Sequence, residues 1–112
     1  MNAGNREWGG KMQTDLLDGK NWVIEQGIAD PDKVAIHGGS YGGYATLVGL
    51  SFTPNEFCCG VDFCGPSNLV TLLESMPSYS ASKIARWHEM VGNPKTERVF
   101  YSLDPQCVKW NK

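Results

Sequence analysis

The chain lacks an excess of charge of either sign, and it lacks any long apolar run. Its 112 residues hold 10 Lys and Arg against 12 Asp and Glu, for a net charge of −2. We therefore expect no basic face for nucleic acid and no polybasic segment for a membrane surface. The apolar stretches are much shorter than the roughly 20 residues that span a bilayer, and residues 1–7 lack the apolar core of a signal peptide.

A C-x-x-C pair is also missing. Four cysteines stand at positions 58, 59, 64 and 107, and neither His37 nor His88 is close to them in sequence. Because this spacing does not suit a metal, we expect no metal site, and nothing indicates an organic cofactor. The three cysteines at 58, 59 and 64 lie in an apolar segment and are predicted to be small buried hydrophobes. Unpaired cysteines favour a reducing compartment such as the cytoplasm without assigning one.

What the chain does contain is a glycine-rich turn around one serine, at Gly38, Gly39, Ser40, Tyr41, Gly42 and Gly43. A short apolar run precedes it and a helix-forming run follows it. A G-x-S-x-G pattern between strand and helix is typical of a nucleophile elbow, which projects the serine hydroxyl above the strand end. We expect side chains at 38 or 42 to collide with the neighbouring strand or helix. The amide of Tyr41, at the new helix N-terminus, is predicted to face an oxyanion.

The order of the elements predicts an α/β fold. A helix over about 10–26 is followed by a buried strand at 34–37, the elbow, a helix to about 52 and a second buried strand at 57–63. Shorter helices follow at 69–75 and 82–91. The two strands are expected to be parallel, joined by a right-handed crossover. Since two parallel strands do not make a stable sheet, residues 1–112 are interpreted as one partial domain from the middle of a fold.

The segment Ala35–Ala45 resembles the catalytic domain of the prolyl oligopeptidase family of serine peptidases, and it is most similar to the acylaminoacyl-peptidase and dipeptidyl-peptidase branches. The similarity extends to about Thr96 and weakens beyond it. Five further segments carry it: Asn2–Gly9, Asp15–Gly19, Ile28–Pro31, Gly60–Leu69 and His88–Pro94.

This resemblance implies an α/β-hydrolase domain, usually behind an N-terminal β-propeller, and possible assembly into oligomers. It implies a peptide substrate, no cofactor, and a Ser…Asp…His triad of which Ser40 is the one member in this chain. The Asp and His would follow Lys112, and the second half of the oxyanion hole would precede Met1. Leu69 and Leu72 stand where the family builds part of its substrate pocket, although packing is their first interpretation.

Three alternatives stay open. Ser40, Asp62 and His88 occur in the chain order of a complete triad. Asp62, however, lies inside an apolar strand, where a buried hydrogen-bonded carboxylate is the simpler interpretation, and His88 suits a helix surface. The elbow alone equally allows an esterase or lipase, since a fold does not determine a substrate. A truncated, non-catalytic remnant is the third.

Overall fold

A computed structural model describes residues 3–77 and 81–96 of the chain. Four α-helices, one 3₁₀ turn and two strands lie along these residues. In chain order they are α1 (Lys11–Glu25), a 3₁₀ turn (Pro31–Lys33), β1 (Ala35–Gly39), α2 (Tyr41–Phe52), β2 (Cys59–Phe63), α3 (Leu69–Glu74) and α4 (Ala81–Met90). The predicted element order is confirmed, with boundaries shifted by at most two residues. Cys107 and the tail from position 97 lie outside the described residues.

The two strands form a parallel pair, as predicted. Their register places Ala35 opposite Cys59 and Gly39 opposite Phe63, and α2 is the connection between them. Among residues 3–77 and 81–96 the sheet consists of these two strands. This arrangement places the end of β1, where the serine turn begins, directly beside the end of β2.

Helix α2 covers one face of this sheet. Ile36 and Gly60 are the strand residues that approach it, since a Cβ at Gly60 would be 3.0 Å from both Ile36 and Thr46. Side chains alternate along a strand, so His37, Val61 and Phe63 point to the opposite face. No described element packs on that face. Val61 is 58% exposed and Phe63 is 70% exposed.

The expectation that both strands are buried is therefore wrong for the described part of the chain. The same correction applies to the cysteines, because Cys58, Cys59 and Cys64 are all exposed free thiols. The physical reason is the uncovered sheet face: apolar composition indicates burial only where a second layer is present to bury it. Cys58 and Cys59 lie with their sulfur atoms 3.9 Å apart.

The core lies on the other side of α2, against the short helices. Five buried apolar side chains form it, and Tyr44 is completely buried. They are Tyr44, Val48, Leu69, Leu73 and Val91. The segment before α1 is held to the end of α4 by the Arg6 amide, which donates to the Met90 carbonyl at 2.6 Å.

Helix α1 ends as its sequence predicts. Gly27 has a φ of 70°, its amide donates to Ile24, and the amide of Ile28 donates to Val23. This is the hydrogen-bond pattern of a Schellman motif. Ile28 itself is 71% exposed, so the apolar contact expected of it is largely missing. No helix among the described residues has the length and apolar character needed to cross a membrane.

Candidate active site

Ser40 lies at the junction of β1 and α2 in a strained conformation. Its φ is 54° and its ψ is −117°, a region that costs a non-glycine residue about 1 to 3 kcal/mol. Two backbone hydrogen bonds hold it there. The Ser40 amide donates to the Phe63 carbonyl at 3.0 Å, and the Ser40 carbonyl accepts from the Tyr44 amide at 3.1 Å. The residue is exposed, and its side chain makes no capping bond to the helix. The hydroxyl is thus presented to solvent by a rigid backbone.

The glycines of the turn have different steric roles. A Cβ at Gly38 would come within 3.0 Å of the Gly42 backbone, so the predicted collision at position 38 is present. A Cβ at Gly42 would meet nothing within 4 Å, so the collision expected there is wrong. It is the backbone of Gly42 that approaches Gly38, while its own Cβ direction is open. A Cβ added at Gly39 would make only ordinary van der Waals contacts, the nearest with the Phe63 side chain at 3.6 Å.

Gly43 is the second position that requires glycine. A Cβ there would be 2.7 Å from the Gly65 Cα and would overlap a carboxylate oxygen of Asp62. Gly65 is equally constrained, because a Cβ on it would be 2.5 Å from the Tyr44 amide nitrogen. The first turn of α2 and the loop after β2 therefore touch through backbone atoms.

The Tyr41 amide belongs to the first turn of α2, the position that the oxyanion hypothesis requires. The first N–H groups of a helix have no intrahelical acceptor. In α2 the i→i+4 bonds begin with Tyr44, which donates to Ser40. The first-turn amides therefore supply partial positive charge beside the serine, which suits an anion. The role of Tyr41 in an oxyanion hole stays a prediction.

The Tyr41 side chain packs into an aromatic cluster with Trp8, Tyr44 and Trp87. The rings of Trp8 and Tyr41 meet edge to face at 4.6 Å between centroids, and Trp8 also contacts Tyr44 and Trp87. Burial raises the pKa of Tyr41, and the nearby negative charge of Asp15 raises it further. The buried Tyr41 hydroxyl has no hydrogen-bond partner among the described residues. This side chain therefore supports the elbow by packing.

The structure does not connect Ser40, Asp62 and His88 by hydrogen bonds. Asp62 instead accepts the Gly65 amide at 2.8 Å. Its predicted hydrogen bond is present, but the residue is exposed rather than buried. His88 is half-buried on α4 and lines a groove of about 240 Å³ between α3 and the residues after α4. His37 is exposed on the uncovered sheet face. The described residues therefore do not form a complete triad.

Leu69 and Leu72 fall into different environments. Leu69 is 1% exposed and belongs to the core, which favours its packing interpretation. Leu72 is half-buried and borders a shallow groove with Gly65 and Pro66. A substrate contact by Leu72 is a prediction that this placement permits.

Sequence reasoning missed the contact between Asp62 and the first turn of α2. The signal was available in principle, because Gly43 and Gly65 are the residues that make room for it. It also missed Trp8 as the centre of the aromatic cluster. Three or more His, Cys, Asp or Glu side chains converge nowhere within residues 3–77 and 81–96 in a way that could hold a metal ion.

A strained, exposed serine between a parallel strand and a helix N-terminus is the geometry expected of the nucleophile elbow of an α/β hydrolase. A family comparison agrees: the model of the prolyl oligopeptidase family matches residues 1–107. The chain belongs to the prolyl oligopeptidase family, whose fold is that of the α/β hydrolases.

Curated relatives support this placement. The chain is 56% identical over 96 residues to dipeptidyl aminopeptidase BIII of Pseudoxanthomonas mexicana. The matched region covers 86% of this chain and 14% of that protein. It is 56% identical over 78 residues to dipeptidyl peptidase family member 6 of Caenorhabditis elegans, covering 70% of this chain and 10% of that protein. A probable chloroplastic glutamyl endopeptidase of Oryza sativa is 44% identical over 46 residues, which are 41% of this chain and 5% of that protein.

The chain thus spans about one seventh or less of the length of these relatives. This short span agrees with the expectation of a partial hydrolase domain. No solved structure gives a significant match.

Proposed function

We propose that this chain carries the nucleophile of a serine peptidase, and that Ser40 is that nucleophile. The observation that supports this most is the backbone of Ser40, which holds an exposed hydroxyl at a helix N-terminus in a conformation that serine rarely adopts. Such strain persists only where surrounding contacts enforce it, and it occurs preferentially at functional sites. A simple connecting turn would have had glycine at this position.

The chemistry follows from this geometry. Ser40 attacks the carbonyl carbon of a peptide bond, the hydroxyl proton passes to a base, and the carbonyl oxygen becomes an oxyanion beside the Tyr41 amide. Collapse of the tetrahedral intermediate expels the amine, which takes the proton, and leaves an acyl group on Ser40. Water then releases the acyl group by the same route. No metal or organic cofactor is required.

The base and its acidic partner are proposed to come from residues outside this chain. No described side chain is hydrogen-bonded to the Ser40 hydroxyl, so His37, Asp62 and His88 are not assigned to the triad. In this proposal residues 1–112 are the middle of a longer catalytic domain. An N-terminal β-propeller and an oligomeric assembly are further expectations from the family.

We propose a dipeptidyl peptidase as the specific activity. Two relatives that match 86% and 70% of this chain are named as a dipeptidyl aminopeptidase and a dipeptidyl peptidase family member, each at 56% identity. The substrate would then be an oligopeptide from whose N-terminus two residues are released. Leu72, at the edge of the groove after β2, is the proposed pocket residue.

The test uses the full-length enzyme with a fluorophosphonate probe and dipeptidyl anilide and ester substrates. Ser40→Ala is expected to abolish labelling and to reduce kcat by about 10⁴-fold or more, as nucleophile removal does in related mechanisms. Ser51→Ala is the matched control, because Ser51 lies on α2 at the end away from the elbow. Full activity in Ser40→Ala would refute the assignment. Turnover of the ester without the anilide would favour an esterase instead.

A further inference from the structure

Asp62 occupies a position that the proposed chemistry does not use, although it lies beside the elbow. In the parallel register it pairs with Gly38, and the next residue, Phe63, accepts the Ser40 amide. We propose that Asp62 is a positioning residue, whose carboxylate fastens the loop after β2 to the first turn of α2 and so holds Ser40 and Tyr41 in place. This inference rests on the proposed function of Ser40.

On the loop side, Asp62 closes a tight turn. Its Oδ1 accepts the Gly65 amide at 2.8 Å, across three residues. Within this turn Cys64 has a φ of 49°, in the left-handed region that few non-glycine residues adopt. A strained turn needs contacts that stabilise it, and the carboxylate bond to Gly65 provides one. Without this acceptor the turn would be free to relax.

On the helix side, the same oxygen lies against Gly43. Neither Gly43 nor Gly65 can accept a Cβ, because each would meet Asp62 Oδ1 as well as the opposing backbone. One close contact thus joins Gly43, Gly65 and the Asp62 carboxylate. No flexible side chain lies between them that could adjust if the loop after β2 moved. Closely packed groups transmit a shift to their neighbours. A relaxed loop would therefore move the first turn of α2.

The groups on which the proposed reaction depends lie at the start of α2. Ser40 immediately precedes the first turn of this helix and Tyr41 begins it, two residues before Gly43. A displacement of about 1 Å at reacting groups can cost about 100-fold in rate. Because the Tyr41 amide acts on the oxyanion and not on the bound substrate, the loss should appear in kcat more than in KM.

The experiment compares variants of the full-length enzyme for kcat, KM and the rate of Ser40 labelling by a fluorophosphonate, well below their thermal midpoints. Asp62→Ala is expected to reduce kcat and the labelling rate by about 10- to 100-fold, with KM within about threefold. Asp62→Asn retains the acceptor and should remain within about threefold of the wild type. Asp30→Ala is the matched control. Asp30 also accepts a backbone amide, from Asp32 at 3.0 Å, at the far end of β1.

A folded Asp62→Ala enzyme with wild-type kcat and labelling rate would overturn the positioning role, as would an effect confined to KM. If Asp62→Ala does not fold, Asp62→Glu decides, because it keeps the charge and moves the carboxylate by one methylene toward Gly43. A normal kcat in Asp62→Glu would then overturn the proposal. A wild-type enzyme that is not labelled at Ser40 would refute the proposed function, and with it this inference.

Discussion

Gly42 and Gly43 are adjacent residues of the same helical turn, and alanine should affect them in opposite directions. Both substitutions gain helix propensity, about 0.5 to 1 kcal/mol in a helix interior. At Gly42 the new methyl group meets nothing within 4 Å, so Gly42→Ala should be neutral or stabilising. At Gly43 it would be 2.7 Å from the Gly65 Cα and would overlap Asp62.

The cost at Gly43 is that of overpacking against main-chain atoms, about 1 to 3 kcal/mol or more. The propensity gain is common to both variants, so the difference between them isolates this steric cost. A difference of about 2 kcal/mol corresponds to roughly 4 to 8 °C in the thermal midpoint of a domain of 150 to 250 residues. Gly43→Ala should therefore melt several degrees below Gly42→Ala.

The assay is thermal denaturation of the full-length enzyme, followed by tryptophan fluorescence and by loss of fluorophosphonate labelling. Gly19→Ala serves as a reference for propensity alone, because Gly19 lies within α1 and has the same open surroundings as Gly42. A Gly43→Ala enzyme at least as stable as Gly42→Ala would refute the reasoning. It would mean that the first turn of α2 can move away from Gly65 at little cost.

Two further substitutions test the surroundings of the elbow. Tyr41→Phe removes a buried hydroxyl without a partner among the described residues, so stability near neutral pH should be unchanged or higher by up to about 1 kcal/mol. Because the Tyr41 pKa is raised on folding, the folded state keeps its proton while the unfolded state loses it near pH 10, and stability falls as pH rises through that value. The thermal midpoint should therefore fall less between neutral pH and a pH above 10 in Tyr41→Phe than in the wild type. A Tyr41→Phe enzyme that is clearly less stable at neutral pH would contradict the argument from the buried hydroxyl. His88→Ala should leave kcat/KM within about tenfold of the wild type, and a loss as large as that of Ser40→Ala in a folded enzyme would restore the local triad.

The local part of the site could be predicted from the sequence. The elbow at Ser40 depends on residues within a few positions of one another, and a short apolar run, a glycine turn and a helical run determine it. The end of α1 was predictable for the same reason, since a glycine in the left-handed region completes the bonds of the last turn. The parallel pairing of the strands followed from the intervening helix α2.

Features that depend on distant contacts could not be predicted in this way. Periodicity shows which side of β2 is apolar, but it does not show whether another layer covers that side. Phe63 is apolar and 70% exposed for this reason. Likewise, the G-x-S-x-G pattern indicates that Gly42 has no room for a side chain. In the structure it is the next residue, Gly43, at which a Cβ would collide with its neighbours. Only the register of β2 against β1 shows that Asp62 and Gly65 lie there.

These contacts show that the conformation of Ser40 depends on two strands and not on one. Strand β1 delivers Ser40, but β2 supplies the Phe63 carbonyl that takes the Ser40 amide, and its last residues bring Asp62 against Gly43. The strain in Ser40 costs about 1 to 3 kcal/mol, an amount that one net hydrogen bond of about 1 kcal/mol does not offset. Several contacts must therefore act together, and those between the start of α2 and the end of β2 are among them. Changes at the end of β2 should consequently affect catalysis even where they touch neither the serine nor the substrate.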